Sequence, residues 1–230
     1  GVVAFETIDP FEFLRPGERF AFSSKGQLTF NADGFITSNT VATGADERFG
    51  VIANITYRDQ DSYEDGDGNS VPSEREVLSG FGKAQWRINE DMELKVGYVG
   101  NRADYLSGLT ATTRQNDVSD DTATGRFTWD PADNPFVNLT VNSYWTRTNA
   151  EQTEVASGDE RFFDLETAGF DAYNTSEFFS HGFDQAVTVG IDAFRDTVTT
   201  EDLNGTGMTI FMNTHLLSEV SRSCTSIGVL

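Results

Sequence analysis

Apolar and polar residues alternate along most of this chain with a period of two. In the clearest stretch, Val137, Leu139 and Val141 lie on one face while Asn138 and Thr140 lie on the other. Such alternation is typical of β-strands whose two faces meet different surroundings. From about residue 19 onward the pattern predicts nine strands, near residues 20–31, 35–45, 49–60, 75–88, 92–103, 122–130, 136–149, 162–178 and 184–200.

The predicted strands are longer than those of a soluble sandwich. Strands in globular proteins average about five or six residues, whereas a tilted membrane strand needs about nine to eleven. Predicted short turns at 44–48, 89–91, 130–135 and 180–182 alternate with predicted long loops at 61–74, 104–121 and 150–161. This order is typical of outer-membrane barrels. The sequence therefore predicts an all-β fold, an antiparallel meander from part of a transmembrane β-barrel.

Aromatic residues fall near the ends of several predicted strands. They are Tyr57, Trp86, Tyr98, Trp129 and Trp145. In a membrane barrel, aromatic girdles lie at the two interfaces between lipid and water. An aromatic residue at a strand end is also common in an ordinary core, so both interpretations stay open.

Composition excludes several classes of function. Hydrophobic residues make up 37% of the chain, Phe alone occurs 19 times, and the formal net charge is −21. Such a charge argues against nucleic acid as a partner. The single cysteine, Cys224, cannot form an intrachain disulfide, and no paired Cys or His spacing predicts a zinc site.

The start of the chain and its apolar runs limit how it could reach a membrane. No run approaches the roughly 20 apolar residues that a membrane-spanning helix requires. The chain opens directly on Val2-Val3-Ala4-Phe5, without a basic start or a cleavage site. A secreted protein would therefore be mature or truncated at this point.

Several segments resemble one receptor family. They are GVVAFET at 1–7, LRPGE at 14–18, FDLETAGFD at 163–171 with NTS at 174–176, and VGIDAFRD at 189–196. In this order they resemble TonB-dependent outer-membrane receptors, and within that superfamily the haem and haemoglobin receptor branch. The resemblance covers roughly residues 1–203.

The resemblance implies a division of the chain and a set of partners. It implies that 1–18 are the end of a plug domain and its junction with the barrel, and that 19–203 are a partial barrel of about nine strands. A receptor of this kind lies in outer-membrane lipid, binds haem or a haem protein at its outer loops, and is driven by the TonB complex. The chain is predicted to be a fragment that is not active alone, and its three long loops would face the ligand.

The last segment, 204–230, follows a different pattern. An apolar run at 208–212 leads to Thr214-His215, and Leu216-Leu217 is interpreted as the start of a helix. Residues 207–230 resemble the switch-histidine segment of ABC-transporter ATPases, which predicts a short αβ tail unrelated to the barrel. ATP hydrolysis is excluded for this chain because no phosphate-binding G-x-x-x-x-G-K-[ST] motif occurs. His215 is then a stranded remnant.

Other polar clusters carry no assigned chemistry. Asp65, Asp67, Asn69, Ser73 and Glu76 have the offsets of a calcium loop, but Ser70 stands where the turn needs Gly and Pro72 intrudes, so a solvated acidic loop is favoured.

Two acidic pairs and one histidine also lie outside any recognisable catalytic pattern. The pairs Asp120-Asp121 and Asp159-Glu160 lie in predicted loops without a hydrolase pattern, and His181 lies in a predicted turn. The sequence predicts no catalytic, cofactor-binding or metal-binding residue, and no enzyme activity. The alternative function is a soluble or surface-exposed β-sheet adhesion or binding protein.

Overall fold

A computed structural model describes residues 6–108, 112–180, 182–202 and 208–224. One short helix, α1 (Pro10–Phe13), precedes twelve strands. The strands are β1 (Phe20–Thr29), β2 (Gly34–Gly44), β3 (Phe49–Gln60), β4 (Tyr63–Glu64), β5 (Ser70–Val71), β6 (Arg75–Arg87), β7 (Met92–Ser107), β8 (Arg114–Trp129), β9 (Leu139–Glu154), β10 (Glu160–Ser180), β11 (Phe183–Asp202) and β12 (Met208–Cys224).

Ten of these strands form one antiparallel sheet in the order β1-β2-β3-β6-β7-β8-β9-β10-β11-β12. Each strand pairs with the next long strand along the chain, so the sheet is a simple meander. The all-β prediction and the nine predicted strands are confirmed. No helix in the described residues is long and apolar enough to cross a membrane.

The predicted long loops are shorter than expected because the strands continue into them. β7 runs to Ser107 and β8 begins at Arg114, while β9 runs to Glu154 and β10 begins at Glu160. The loop predictions for 104–121 and 150–161 are therefore wrong over most of their length. These stretches are polar on both faces, but backbone hydrogen bonding between strands does not require an apolar face. Residues 61–74 instead contain the small β4-β5 hairpin.

The predicted αβ tail is also wrong over residues 208–224. β12 pairs antiparallel with β11 along its whole length, including His215 opposite Phe194 and Leu216 opposite Ala193. The edge of β11 would otherwise present a row of unpaired backbone groups, and a following segment can satisfy them as a strand. The resemblance of 207–230 to an ATPase segment stays a prediction.

The sheet has two unlike faces, which are defined here by the N-terminal segment. Residues 6–14 pack on one face, near the turns at 45–48 and 88–91, and this side is called the inner face. Leu14 lies there in a small core with Ala42 and Ile52. The opposite side is called the outer face, and the ends of the strands near 61–74 and 108–113 are called the loop end.

Candidate functional site

The outer face is largely apolar along the middle of the strands. Its exposed large apolar side chains are Phe20, Phe22, Leu28, Phe35, Val41, Phe49, Ile55, Leu78, Trp86, Val96, Tyr98, Phe170, Phe183, Val189 and Ile191. An exposed apolar surface of this extent indicates contact with lipid or another protein.

The five aromatic residues singled out from the sequence all lie on this outer face. Trp86 and Trp129 are at the turn ends of β6 and β8, whereas Tyr98 and Trp145 share one row nearer the loop end. On β8 that row lies six positions from Trp129, a distance of about 20 Å along the strand. At a strand tilt of about 35–45° this distance is about 15 Å of barrel height, which fits within the roughly 25 Å apolar band of outer-membrane barrels.

Above the upper aromatic row the outer face becomes charged. Arg102 forms an ion pair with Asp121 at 2.8 Å, and Arg147 forms one with Asp164 at 3.0 Å. Trp145 donates its indole N–H to Glu166 at 3.0 Å. Five carboxylates then lie directly opposite one another on neighbouring strands: Asp59, Glu76, Asp104, Asp117 and Glu151. The charged belt marks where the outer face leaves the apolar band.

The inner face is polar, and its best-packed part is a buried ionic junction at the turn end. Asp9 lies just before α1 and is 7% exposed. Its Oδ1 accepts a hydrogen bond from Lys83 Nζ at 2.8 Å, and its Oδ2 binds Lys95 Nζ. Lys83 also binds the carbonyl oxygen of Thr7 and lies 3.6 Å from Glu6. Because each lysine meets an anion, the junction satisfies charges that would be costly to bury alone.

Opposing effects set the pKa of Asp9. Burial alone would raise it, but hydrogen bonds from Lys83 and Lys95 outweigh burial and hold the pKa below its usual value. Asp9 is therefore ionised at neutral pH. The carboxylate then fixes residues 6–14 to β6 and β7.

Close apolar contacts complete this junction. Pro10 and Phe11 approach Gly50 of β3 so closely that a Cβ there would lie 2.9 Å from Pro10 Cβ and 3.2 Å from Phe11 Cζ. The Arg87 guanidinium lies 4.4 Å from the centre of the Phe11 ring, which is a cation–π contact. The N-terminal segment is thus held by charge, by ring stacking and by steric fit.

The loop end of the inner face contains a separate open cavity of about 310 Å³. Arg58 of β3 and Arg75 of β6 line it, together with Tyr105 of β7. The Arg75 guanidinium lies 5.5 Å from the centre of the Tyr105 ring. The remaining lining residues are Ile36, Thr56, Val77, Ser79, Asn101 and Ala103.

The structure does not bring together the calcium-loop residues. Asp65 accepts backbone N–H groups of Asp67 and Asn69, each at 2.9 Å, which closes the β4-β5 hairpin, and the Asn69 hydrogen bond chiefly lowers the pKa of Asp65. Glu76 instead accepts a hydrogen bond from Tyr57 Oη at 2.9 Å. In the described residues no group of three or more His, Cys, Asp or Glu is placed to hold a metal ion.

The other sequence candidates are also separated. Asp120 accepts a hydrogen bond from Thr148 on the inner face at 2.8 Å, whereas Asp121 pairs with Arg102 on the outer face. His181 lies outside the described residues, as does the segment 203–207.

Sequence reasoning missed Asp9, Lys83 and Lys95. The available signal was that both lysines occupy inner-face positions of neighbouring strands, where a cation that becomes buried needs an anionic partner.

Comparisons with known proteins agree with this architecture. No family model matches the chain. The chain is 27% identical, over 163 residues, to proteins named Heme transporter BhuA from Brucella ovis and Brucella abortus. These matches cover 63% of this chain and 24% of the relatives, so the chain spans about a quarter of their length.

Solved structures show the same fold. The hemophore receptor HasR of Serratia marcescens, solved with its hemophore HasA and heme, matches 95% of this chain and 33% of HasR, with TM-score 0.75 and 20% identity. The copper transporter OprC matches 88% of this chain and 34% of its own, with TM-score 0.68 and 15% identity. The Escherichia coli outer membrane transporter YddB matches 81% and 30%, with TM-score 0.57 and 12% identity. The chain therefore has the fold of part of an outer-membrane transporter barrel.

Proposed function

We propose that this chain is part of a TonB-dependent outer-membrane receptor that takes up haem or another iron-bearing ligand. The observation that carries the proposal is the similarity to proteins named heme transporters along 63% of the chain. The apolar outer face, with aromatic residues toward both ends of its strands, supports a position in outer-membrane lipid. The polar inner face supports a barrel interior that is shielded from lipid.

The proposal assigns a role to each part of the chain. Residues 1–18 are the end of a plug domain and its junction with the barrel, and 19–203 are part of the barrel wall. The turn end faces the periplasm, and the loop end faces the ligand. Residues 204–230 have no assigned role in uptake, although 208–224 continue the sheet as β12.

In such a receptor the ionic junction has a mechanical consequence. TonB acts on residues that precede the plug, so a pull along the chain reaches the barrel through residues 6–14. Asp9 is the charged contact of that segment with Lys83 and Lys95. The junction would hold this end of the plug in place while preceding residues move.

Membrane localisation is tested by expressing the chain with a secretion signal and separating the membranes. We expect the chain in the outer-membrane fraction, released only by detergent. A chain that stays monomeric in buffer without detergent, with buried tryptophans and no lipid association, would favour the soluble binding protein instead.

Uptake is tested in the bacterium that carries the receptor gene. Deleting that gene should abolish growth on haem as the sole iron source, and restoring the complete gene should recover growth. Growth on ferric citrate serves as the control, because it should not depend on this receptor. Unchanged growth on haem after deletion would overturn the haem assignment.

A further inference from the structure

Arg58 and Arg75 are neighbours on the inner face by strand register. Arg58 is directly opposite Val77, and Arg75 is directly opposite Gln60, so the two arginines are diagonal partners on β3 and β6. Diagonal residues of this kind are about 7–8 Å apart at their Cα atoms, within reach of long side chains. Two cations are thus directed into one small cavity.

Neither arginine has a carboxylate partner within the part of the chain that the structure describes. The ion pairs found there involve Lys83, Arg87, Lys95, Arg102 and Arg147 instead. This is unexpected in a chain with a net charge of −21. The reason is geometric: Asp59 and Glu76 neighbour the arginines in sequence, but alternate residues of a strand point to opposite faces, so both carboxylates lie on the outer face.

The rest of the cavity suits a flat, apolar body beside the charged groups. Tyr105 stands opposite Arg75, and Ile36, Val77 and Ala103 form one apolar row with Arg58. Arginine binds carboxylates in a bidentate manner and also stacks on planar groups. At about 310 Å³ the cavity is at the small end of ligand sites, so it would hold one edge of a larger molecule.

The lysine pair at the turn end gives an example of what two neighbouring cations on this face bind. Lys83 is opposite Gly97, and Lys95 is opposite Gln85, so these lysines are also diagonal partners on neighbouring strands. One carboxylate, that of Asp9, bridges them. The arginine pair has the same two-residue offset between neighbouring strands at the opposite end of the sheet, and no carboxylate of the described residues bridges it.

We infer that the Arg58–Arg75 cavity binds the carboxylate groups of a ligand with a flat, apolar body, as the propionates of haem would provide. This inference rests on the proposed function and adds a site to it. Arg58 and Arg75 form the ion pairs, while Tyr105 supplies an aromatic surface next to them.

The test compares ferric haem with its dimethyl ester, in which both propionates are neutral. Binding is measured by absorbance titration on the complete receptor that carries this chain, in outer-membrane vesicles. We expect the wild type to bind the diacid at least about tenfold more tightly than the diester, because the diester cannot form charge-assisted hydrogen bonds with the two arginines. The Arg58→Gln/Arg75→Gln variant should bind both forms with nearly equal affinity.

Two further variants separate charge from folding. Arg102→Gln removes an arginine from the outer face of β7 and should keep the preference for the diacid. Arg58→Lys/Arg75→Lys keeps both charges and should retain part of the preference. Equal binding of diacid and diester by the wild type, or an unchanged preference in the glutamine variant, overturns the inference alone. Binding of neither form overturns the haem assignment and the inference with it.

Discussion

Two pairs of basic residues lie on the inner face, each with a two-residue offset between neighbouring strands. Their surroundings differ. Lys83 and Lys95 at the turn end are covered by the N-terminal segment and bridged by Asp9. Arg58 and Arg75 at the loop end line an open cavity.

The difference shows that a charged pair on this face receives an anion from the chain itself only where another segment of the chain packs over it. At the turn end, the chain itself supplies the anion, so the pair fastens one segment to another. At the loop end, Asp59 and Glu76 lie on the other face of the sheet, so within the described residues no carboxylate bridges the pair.

Replacing Asp9 with alanine should release the N-terminal segment. Lys83 would keep only Glu6 as an ion-pair partner, at 3.6 Å, and Lys95 only Glu93, at 3.3 Å, and breaking a buried pair costs about 3–5 kcal/mol. The amides of Glu12, Phe13 and Leu14 donate to the carbonyls of Asp9 and Pro10, so they report on this segment. Their hydrogen exchange should become at least about a hundredfold faster. Unchanged exchange would show that the ion pairs do not hold the segment.

Replacing Gly50 with alanine should loosen the same segment by steric contact. The added methyl group would lie 2.9 Å from Pro10 Cβ, and overpacking of this kind costs about 1–3 kcal/mol. Exchange at the amides of residues 12–14 should rise about tenfold. Gly82→Ala on β6 is the matched control, because a Cβ there meets nothing within 4 Å.

Acid should weaken the junction through Asp9. Its pKa in the folded protein is below the usual value of 3.8, so its contribution is complete above that value and is lost as the pH falls through the folded pKa. Exchange at residues 12–14, corrected for the intrinsic pH dependence, should therefore rise only below about pH 4. The Asp9→Asn variant should lack this acid step. A rise in hydrogen exchange near pH 6 would show that a titratable group other than Asp9 controls the junction.

The smallest effect on stability should come from Arg58→Gln/Arg75→Gln. These residues bind no carboxylate of the described chain, and removing two like charges should change the free energy of unfolding by about 0.5 kcal/mol or less. The change Lys83→Gln/Lys95→Gln should destabilise the protein far more, because it leaves Asp9 buried without a cation. Thermal unfolding in detergent micelles compares the two. Equal losses of stability in the two variants would show that the lysine pair and the arginine pair do not differ in their contribution to folding.

The sequence predicted the sheet because a strand with one apolar face has an apolar residue at every second position, and this alternation is visible in the sequence. It did not predict how far the strands continue, since residues such as Asp117 and Glu151 lie beyond the apolar band, where backbone pairing leaves no pattern. The ionic junction was also missed. Asp9 lies 74 residues from Lys83 and 86 from Lys95, and no local signal links residues so distant.

The tail shows another limit of local patterns. Residues 208–224 contain no regular alternation, and Leu216-Leu217 favours a helix by local preference. Pairing with β11 nevertheless makes the segment a strand. Hydrogen bonding to the edge of a neighbouring strand can outweigh the local preference for a helix, and the sequence alone does not show where that edge lies.

The row of five carboxylates on the outer face has a consequence for the medium that surrounds it. Neighbouring strands are about 4.8 Å apart, which is shorter than the roughly 8 Å screening length at physiological ionic strength. Dissolved salt therefore screens these charges only in part, and Asp59, Glu76, Asp104, Asp117 and Glu151 repel one another across the sheet. Cations gathered along the row would tighten the strands there, while very dilute media would spread them. We therefore expect the rim of the sheet to respond to the ionic composition of the surrounding water.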